Sequence, residues 1–129
     1  MNKILVEVSV GELLDKLSIL EIKKEKIKES DKLKFINDEY LILKKQLDEN
    51  ITINDQLKKL YEELKEINLK LWVIEDDKRL CEKKSDFGEK FIKLSRDVHF
   101  LNDNSAQIKL EINNYTGSKI KEIKEYTKY

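Results

Sequence analysis

At 129 residues the chain has room for one ordinary domain and not for two. Forty per cent of the residues are charged and 40% are apolar, a pairing that suits long helices with narrow apolar stripes; Leu, Ile and Val recur too regularly for a disordered chain. Lys plus Arg and Asp plus Glu balance at 26 each, so no net field draws the molecule to nucleic acid or anionic lipid, and neither is expected as a partner.

Residues 3–8 are rich in β-branched and apolar side chains and precede a helix start, so residues 1–8 are expected to run extended. The segment is too short to span a bilayer and lacks the basic start and small-residue cleavage site of a secretory signal, so a cytoplasmic location is expected. Ser9 followed by Glu12 is a capping box that starts a first helix near Val10. Its apolar face is Val10, Leu13, Leu17, Leu20 and Ile27, widened by Leu14 and Ile22 and interrupted at Lys24. Ser30 and Asp31 offer caps for a second helix with the seam Leu33, Ile36, Tyr40, Leu43 and Leu47, ending near Asn50.

The polar, β-branched stretch 49–55 predicts a hairpin loop. Beyond it Leu57, Leu60, Leu64, Ile67, Leu71 and Ile74 keep an a/d rhythm that asks for a partner helix in coiled-coil-like packing. Ser85 and Asp86 break this pattern and offer caps for a fourth helix carrying Phe87, Phe91, Leu94, Val98 and Leu101. The rhythm resumes at Ser105, Ile108 and Ile112, with a kink or restart expected at Asn102, Asp103 and Asn104, and Gly117 closes the helical part. The tail 118–129 has two readings, a last amphipathic turn through Ile120 and Ile123 or a reach to a neighbouring subunit. The expected fold is all-α, long antiparallel helices in a helical hairpin or bundle, as one domain over residues 1–129.

No phosphate-binding loop, dinucleotide fingerprint, paired-cysteine site or HExxH occurs, so no cofactor and no metal are expected. The single Cys81 reads as a small core residue. Three polar stripes adjoin the apolar seams. On the third helix Asn68, Trp72, Glu75, Arg79 and Glu82 share a face, which reads either as a ligand wall or as an i,i+4 pair of Glu75 and Arg79 beside a Trp72 that covers the core margin. On the fourth, Ile92, Arg96, His99 and Asp103 align, so that the acid could orient the imidazole for proton transfer or anion binding. On the first, Glu12, Lys16, Ile19 and Lys23 line up beside Asp15 and Glu21, most simply as solvated charge. Lys23, Lys24, Lys26 and Lys28 are broken by Glu25 and Glu29, too mixed a run for a nucleic-acid stripe.

Five segments carry a resemblance: VSVGELLDKLSILEIK at 8–23, LWVIEDDKR at 71–79, FIKLSRDV at 91–98, NDNSAQIKLEIN at 102–113 and GSKIKE at 117–122. They are similar to those of the DUF6165 family of small bacterial and viral proteins. Its pattern is matched by Gly11, Glu12, Leu13, Asp15 and Lys16, by Trp72, Glu75, Asp76 and Arg79, and by Leu94, Arg96, Asn102 and Asp103. Ser105 stands where the family pattern has arginine, and residues 122–129 only loosely echo its acidic, aromatic ending. The resemblance implies no activity; it implies a genetic setting beside surface-polysaccharide and nucleotide-sugar functions.

Two functions follow as expectations. The first is a non-enzymatic helical assembly or binding protein, an accessory factor in that setting, because the apolar seams exceed what one chain can bury. A homo-oligomer, a dimer before other states, is the expected partner, with another protein as the further candidate. The alternative is a small all-helical enzyme with a chorismate-mutase-like site between helices, where Lys16, Arg79 and Arg96 would hold an anionic substrate near Glu75. The ligand-binding candidates are Lys16, Trp72, Glu75, Arg79, Arg96, His99 and Asp103.

Overall fold

The computed structural model describes residues 2–129 and contains four helices, α1 (Val10–Lys26), α2 (Ser30–Asn50), α3 (Asp55–Lys83) and α4 (Glu89–Thr116). No strand forms among the described residues, and residues 2–9 carry no regular structure, with Ile4, Leu5 and Val6 exposed. The helices pack as an antiparallel bundle with α1 at its centre: α1 lies against α2, α3 and α4, and α3 runs beside α4.

Local chemistry explains most of the boundaries. Ser9 Oγ accepts from the Glu12 amide at 3.1 Å and so starts α1. The reciprocal half of the box gives way to an ion pair, since the Glu12 carboxylate faces Lys109 Nζ at 3.7 Å. Helix α2 begins at Ser30 itself, with Glu29 at the cap position and no side-chain cap bond. Ser30 and Asp31 therefore lie in the first turn instead of capping it, and Asp31 there complements the positive end of the helix dipole. Asn54 Oδ1 accepts from the Leu57 amide at 3.0 Å and starts α3, while its Nδ2 ties the loop to the Tyr115 hydroxyl at 2.6 Å.

The turn from α3 to α4 departs from expectation. Ser85 takes a left-handed φ of 55° and Asp86 accepts from the Gly88 amide, so α4 starts only at Glu89. Phe87 thus sits in the turn, edge-on to Phe91 with ring centroids 5.5 Å apart. Nor does α4 restart at residues 102–104. It continues unbroken to Thr116, packed against both α3 and α1. Gly117, at φ 70°, ends it, and the Ser118 amide donates back to the Asn113 carbonyl at 2.9 Å. The tail forms no further helical turn; it folds back along α4, with Glu122 against Lys109 and the Tyr129 hydroxyl donating to Asp103.

The core is Leu14 and Leu17 of α1, Leu47 of α2, Leu57, Leu60 and Leu64 of α3 and Ile112 of α4. Each such side chain contributes roughly 1.5–3 kcal/mol by leaving water. Lys24, the interruption in the α1 stripe, places its ammonium 4.2 Å from the centre of the Tyr40 ring and so joins the α1–α2 contact as a cation over an aromatic face. Beside it Lys65 bridges Glu21 and Glu25, each at 3.1 Å, tying α3 to α1. Burial, then the charge of Glu21, raises the Tyr40 hydroxyl above its usual range.

On α3, Lys65 and Asn68 bond α1, and on α4, Lys109 and Asn113 do. The distal halves of α3 and α4 extend past this zone as a two-helix arm. Cys81, under the α3–α4 turn, is the only buried residue from 69 to 104.

Candidate functional site

Where the arm leaves the bundle, α1, α3, α4 and the tail enclose an open cleft of about 550 Å³. Its floor comes from α1 and α3. Asn68 Nδ2 donates to Asp15 Oδ1 and to Ser18 Oγ, both at 2.8 Å, and Ser18 Oγ donates to the Asp15 carbonyl at 2.8 Å. Ser18 is fully buried, so this bonding is what makes a polar residue tolerable on the inner face of α1. Leu71 and Trp72 of α3 with Ile19 of α1 form the apolar wall, and Glu75, Asp76 and Arg79 continue the α3 side towards solvent. Asn102, Ser105 and Lys109 line the α4 side, and Lys124 of the tail closes one edge.

Lys109 is the electrostatic centre. Its side chain is 13% exposed, and its Nζ lies 3.3 Å from Glu122, 3.7 Å from Glu12 and 4.0 Å from Asp15. Burial alone would lower its pKa; the charges of Asp15, Glu12 and Glu122 outweigh burial and hold it above the ordinary lysine value. Burial tends to raise the Glu122 pKa, but the Lys109 charge at close range carries it below its usual value.

The α1 N-terminus, a natural anion site in principle, is closed by the chain itself. The Val10 amide donates to Ser118 Oγ, the Gly11 amide to Asn113 Oδ1 at 2.7 Å, the Glu12 amide to Ser9 Oγ, and the Leu13 amide to the Ser9 carbonyl. A Cβ at Gly11 would stand 2.7 Å from the Lys109 carbonyl oxygen, so only glycine permits this approach of α1 to α4.

Of the sequence candidates, Trp72, Glu75 and Arg79 border the cleft, together with Asn68 of the same stripe, while Glu82 does not. Arg79 Nη1 meets Glu75 Oε2 at 3.0 Å, the i,i+4 pair that the spacing allows, with the guanidinium largely in solvent. Lys16 and Arg96 are exposed and border neither this cleft nor its neighbours along the tail. The three cations Lys16, Arg79 and Arg96 therefore do not share this cleft. His99 and Asp103 face the tail instead: Asp103 accepts from Tyr129, whose ring lies edge-on to His99 at 5.2 Å. Asp103 lies one turn before Gln107 and holds Tyr129, not His99, in these side-chain bonds.

The sequence reading passed over Lys109, Asn113 and Lys124. A single lysine on a helix with many lysines carries no local mark, and its role appears only once α1 and the tail are placed against α4. Gly11 did offer a signal, since a glycine inside a first helical turn weakens the helix unless close packing demands it. Among the described residues no group of three or more His, Cys, Asp or Glu side chains is placed to hold a metal, and no helix is long and apolar enough to cross a membrane.

Comparison with curated proteins and with solved structures gives no match. The model of the family described as DUF6165, a family of unknown function, matches residues 4–129. That match takes in α1 to α4 and the whole tail, and with them every wall of the cleft; the chain belongs to the DUF6165 family.

Proposed function

We propose that the protein is a non-enzymatic assembly factor that pairs with a second copy of itself through the arm formed by α3 and α4. The observation that carries this reading is the apolar groove of about 590 Å³ between the two helices, lined by Leu69, Val73, Ile74, Phe100 and Leu101. Val73 is 48% and Phe100 39% exposed, and Leu80, Phe87 and Ile92 are further exposed apolar residues of the arm. Apart from Tyr129 of the tail, whose ring stands edge-on to Phe100 at 5.2 Å, no third element among the described residues lines the groove, and apolar surface in this arrangement marks an interaction face.

A second copy suits it because the groove is self-complementary in charge. Lys70 of α3 and Asp97 of α4 lie on its two flanks, in surface i,i+4 pairs with Glu66 and Lys93 respectively, which an intermolecular partner would have to replace. A two-fold axis across the groove sets Lys70 of each copy against Asp97 of the other, so that both apolar faces are covered and both flanks paired at once. The result is an intermolecular four-helix bundle, a packing that the a/d rhythm of α3 favours.

Size-exclusion chromatography with light scattering tests the proposal at micromolar concentration. The wild-type chain is expected at twice its monomer mass, and the double variant Val73→Asp, Phe100→Asp at monomer mass with unchanged helical circular dichroism. A monomeric wild type, or a variant that stays dimeric, overturns the arm as the interface.

A further inference from the structure

We propose that the cleft between α1, α3 and α4 binds one uncharged polyhydroxylated ring, such as a hexopyranose. The inference is independent of the dimer, because the cleft and the arm groove share no lining residue.

The first observation is a pair of polar side chains, each more than nine-tenths buried, whose hydrogen-bonding capacity the protein does not use up. Ser105 is 7% exposed and lines the cleft, yet its hydroxyl makes no hydrogen bond among the described residues. A helical serine or threonine ordinarily satisfies itself on a carbonyl of the preceding turn, as Ser18 does on Asp15 and Thr116 on Ile112. Asn68, also more than nine-tenths buried, spends its Nδ2 on Asp15 and Ser18, which leaves its Oδ1 as a free acceptor. Neither atom is sealed from solvent, and both residues line the cleft. Buried hydrogen-bonding groups of this kind are what a ligand's own polar groups replace.

Charge then selects the ligand class. Each cation on the cleft wall is already neutralised: Arg79 by Glu75, Lys109 by Glu12, Asp15 and Glu122, and Lys124 by Glu122. An added phosphate or carboxylate would have to displace one of these carboxylates, and the α1 N-terminus offers no free amide to help. A bound cation would find Glu75 held by Arg79 and Asp15 by Lys109 and Asn68, which leaves the single exposed carboxylate of Asp76, too few ligands for a cation site. An uncharged ligand disturbs none of it.

Hydroxyl groups match what remains. A sugar hydroxyl donates to Asn68 Oδ1 or to the carboxylates of Asp15 and Asp76, and it accepts from Ser105 Oγ or from the Asn102 amide. Trp72, Ile19 and Leu71 supply an apolar wall against which the C–H face of a pyranose packs. The volume of about 550 Å³ lies within the range of small-molecule sites, roughly 300–1,000 Å³.

Trp72 is the only tryptophan, so its indole N–H gives a single resonance that reports on the cleft. The experiment is a two-dimensional ¹H–¹⁵N titration of the full chain with glucose, galactose and N-acetylglucosamine in turn, and with inorganic phosphate at matched ionic strength. At least one sugar is expected to move the indole signal saturably in the millimolar range, with no saturable shift from phosphate. Ser105→Ala removes the unpartnered hydroxyl without adding bulk and is expected to weaken that sugar at least tenfold. Asn102→Ala, on the exposed rim, is expected to weaken it by a smaller factor. Absence of a saturable shift with all three sugars, an equal response to phosphate, or undiminished affinity in Ser105→Ala overturns the proposal.

Discussion

The bundle around α1 and the arm beyond it are built from the same kind of helix, yet they bury their apolar residues to different depths. Leu57, Leu60 and Leu64 of α3 are sealed between α1, α2 and α4. Leu71 and Ile74, further along the same a/d line, are only partly covered, and Val73 beside them faces water. The rhythm does not change between these stretches; the number of helices around it does. A seam of this kind states that a helix needs a partner and leaves open whether the same chain supplies all of it.

The sharpest way to break this contrast is to remove equivalent apolar volume from each region. Leu64→Ala empties a fully buried site and is expected to cost about 2–5 kcal/mol in urea unfolding. Val73→Ala, measured below the concentration at which copies associate, is expected to change stability by less than about 0.5 kcal/mol. Similar losses at the two positions would mean that the arm is as well packed as the bundle.

Much of the fold could be read from the sequence because its signals are local. The Ser9 cap, the loop before Asp55, the a/d line of α3 and the Gly117 stop each depend on residues within one or two turns. The failures are also local signals, overridden by longer contacts. Asn102, Asp103 and Asn104 weaken a helix on paper, but α4, packed against α3 and α1, runs through them as one helix. The cleft was half legible. The stripe of Asn68, Trp72, Glu75 and Arg79 follows from helical spacing, which puts these residues on one wall. The opposite wall of Ser105 and Lys109, and the tail residue Lys124, comes from elements dozens of residues away, and periodicity within one helix carries no information about which faces meet. Lys16 and Arg96 were drawn in by charge, resemblance and their own helical stripes, and those stripes stand outside the cleft wall at these two residues.

The joint between the two regions can be tested at Gly11. Its amide is bound by Asn113, and an added Cβ would press on the Lys109 carbonyl, which is helix backbone and cannot swing aside like a side chain. Gly11→Ala gains helix propensity but has to push α1 away from α4, for a net expected loss of about 1–3 kcal/mol in the same unfolding experiment. A stabilised variant would show that the close approach of α1 to α4 is not needed to position Asp15 against Lys109.

The smallest effect separates the tail from the bundle it lies on. Glu122 is the closest carboxylate to Lys109 at 3.3 Å, but its side chain is half exposed, so solvent screens the pair. Its pKa in the folded chain lies below the usual 4.5, with burial opposing and Lys109 driving the shift. A depressed acid stabilises the fold at every pH above its unfolded value and loses that contribution as pH falls through the folded value. The matching elevation of Lys109 acts at the other limit, fully present below 10.5 and lost as pH rises through its folded value. Glu122→Gln is therefore expected to lower stability by no more than about 1 kcal/mol at pH 7. The gap between variant and wild type should narrow as pH falls below about 4.5, where the unfolded carboxyl takes up its proton, and close once pH lies below the lowered folded value. Thermal unfolding followed stepwise from pH 7 into the acid limb checks this. A gap that did not narrow as pH fell would assign the contribution of Glu122 to packing of the tail and not to its charge.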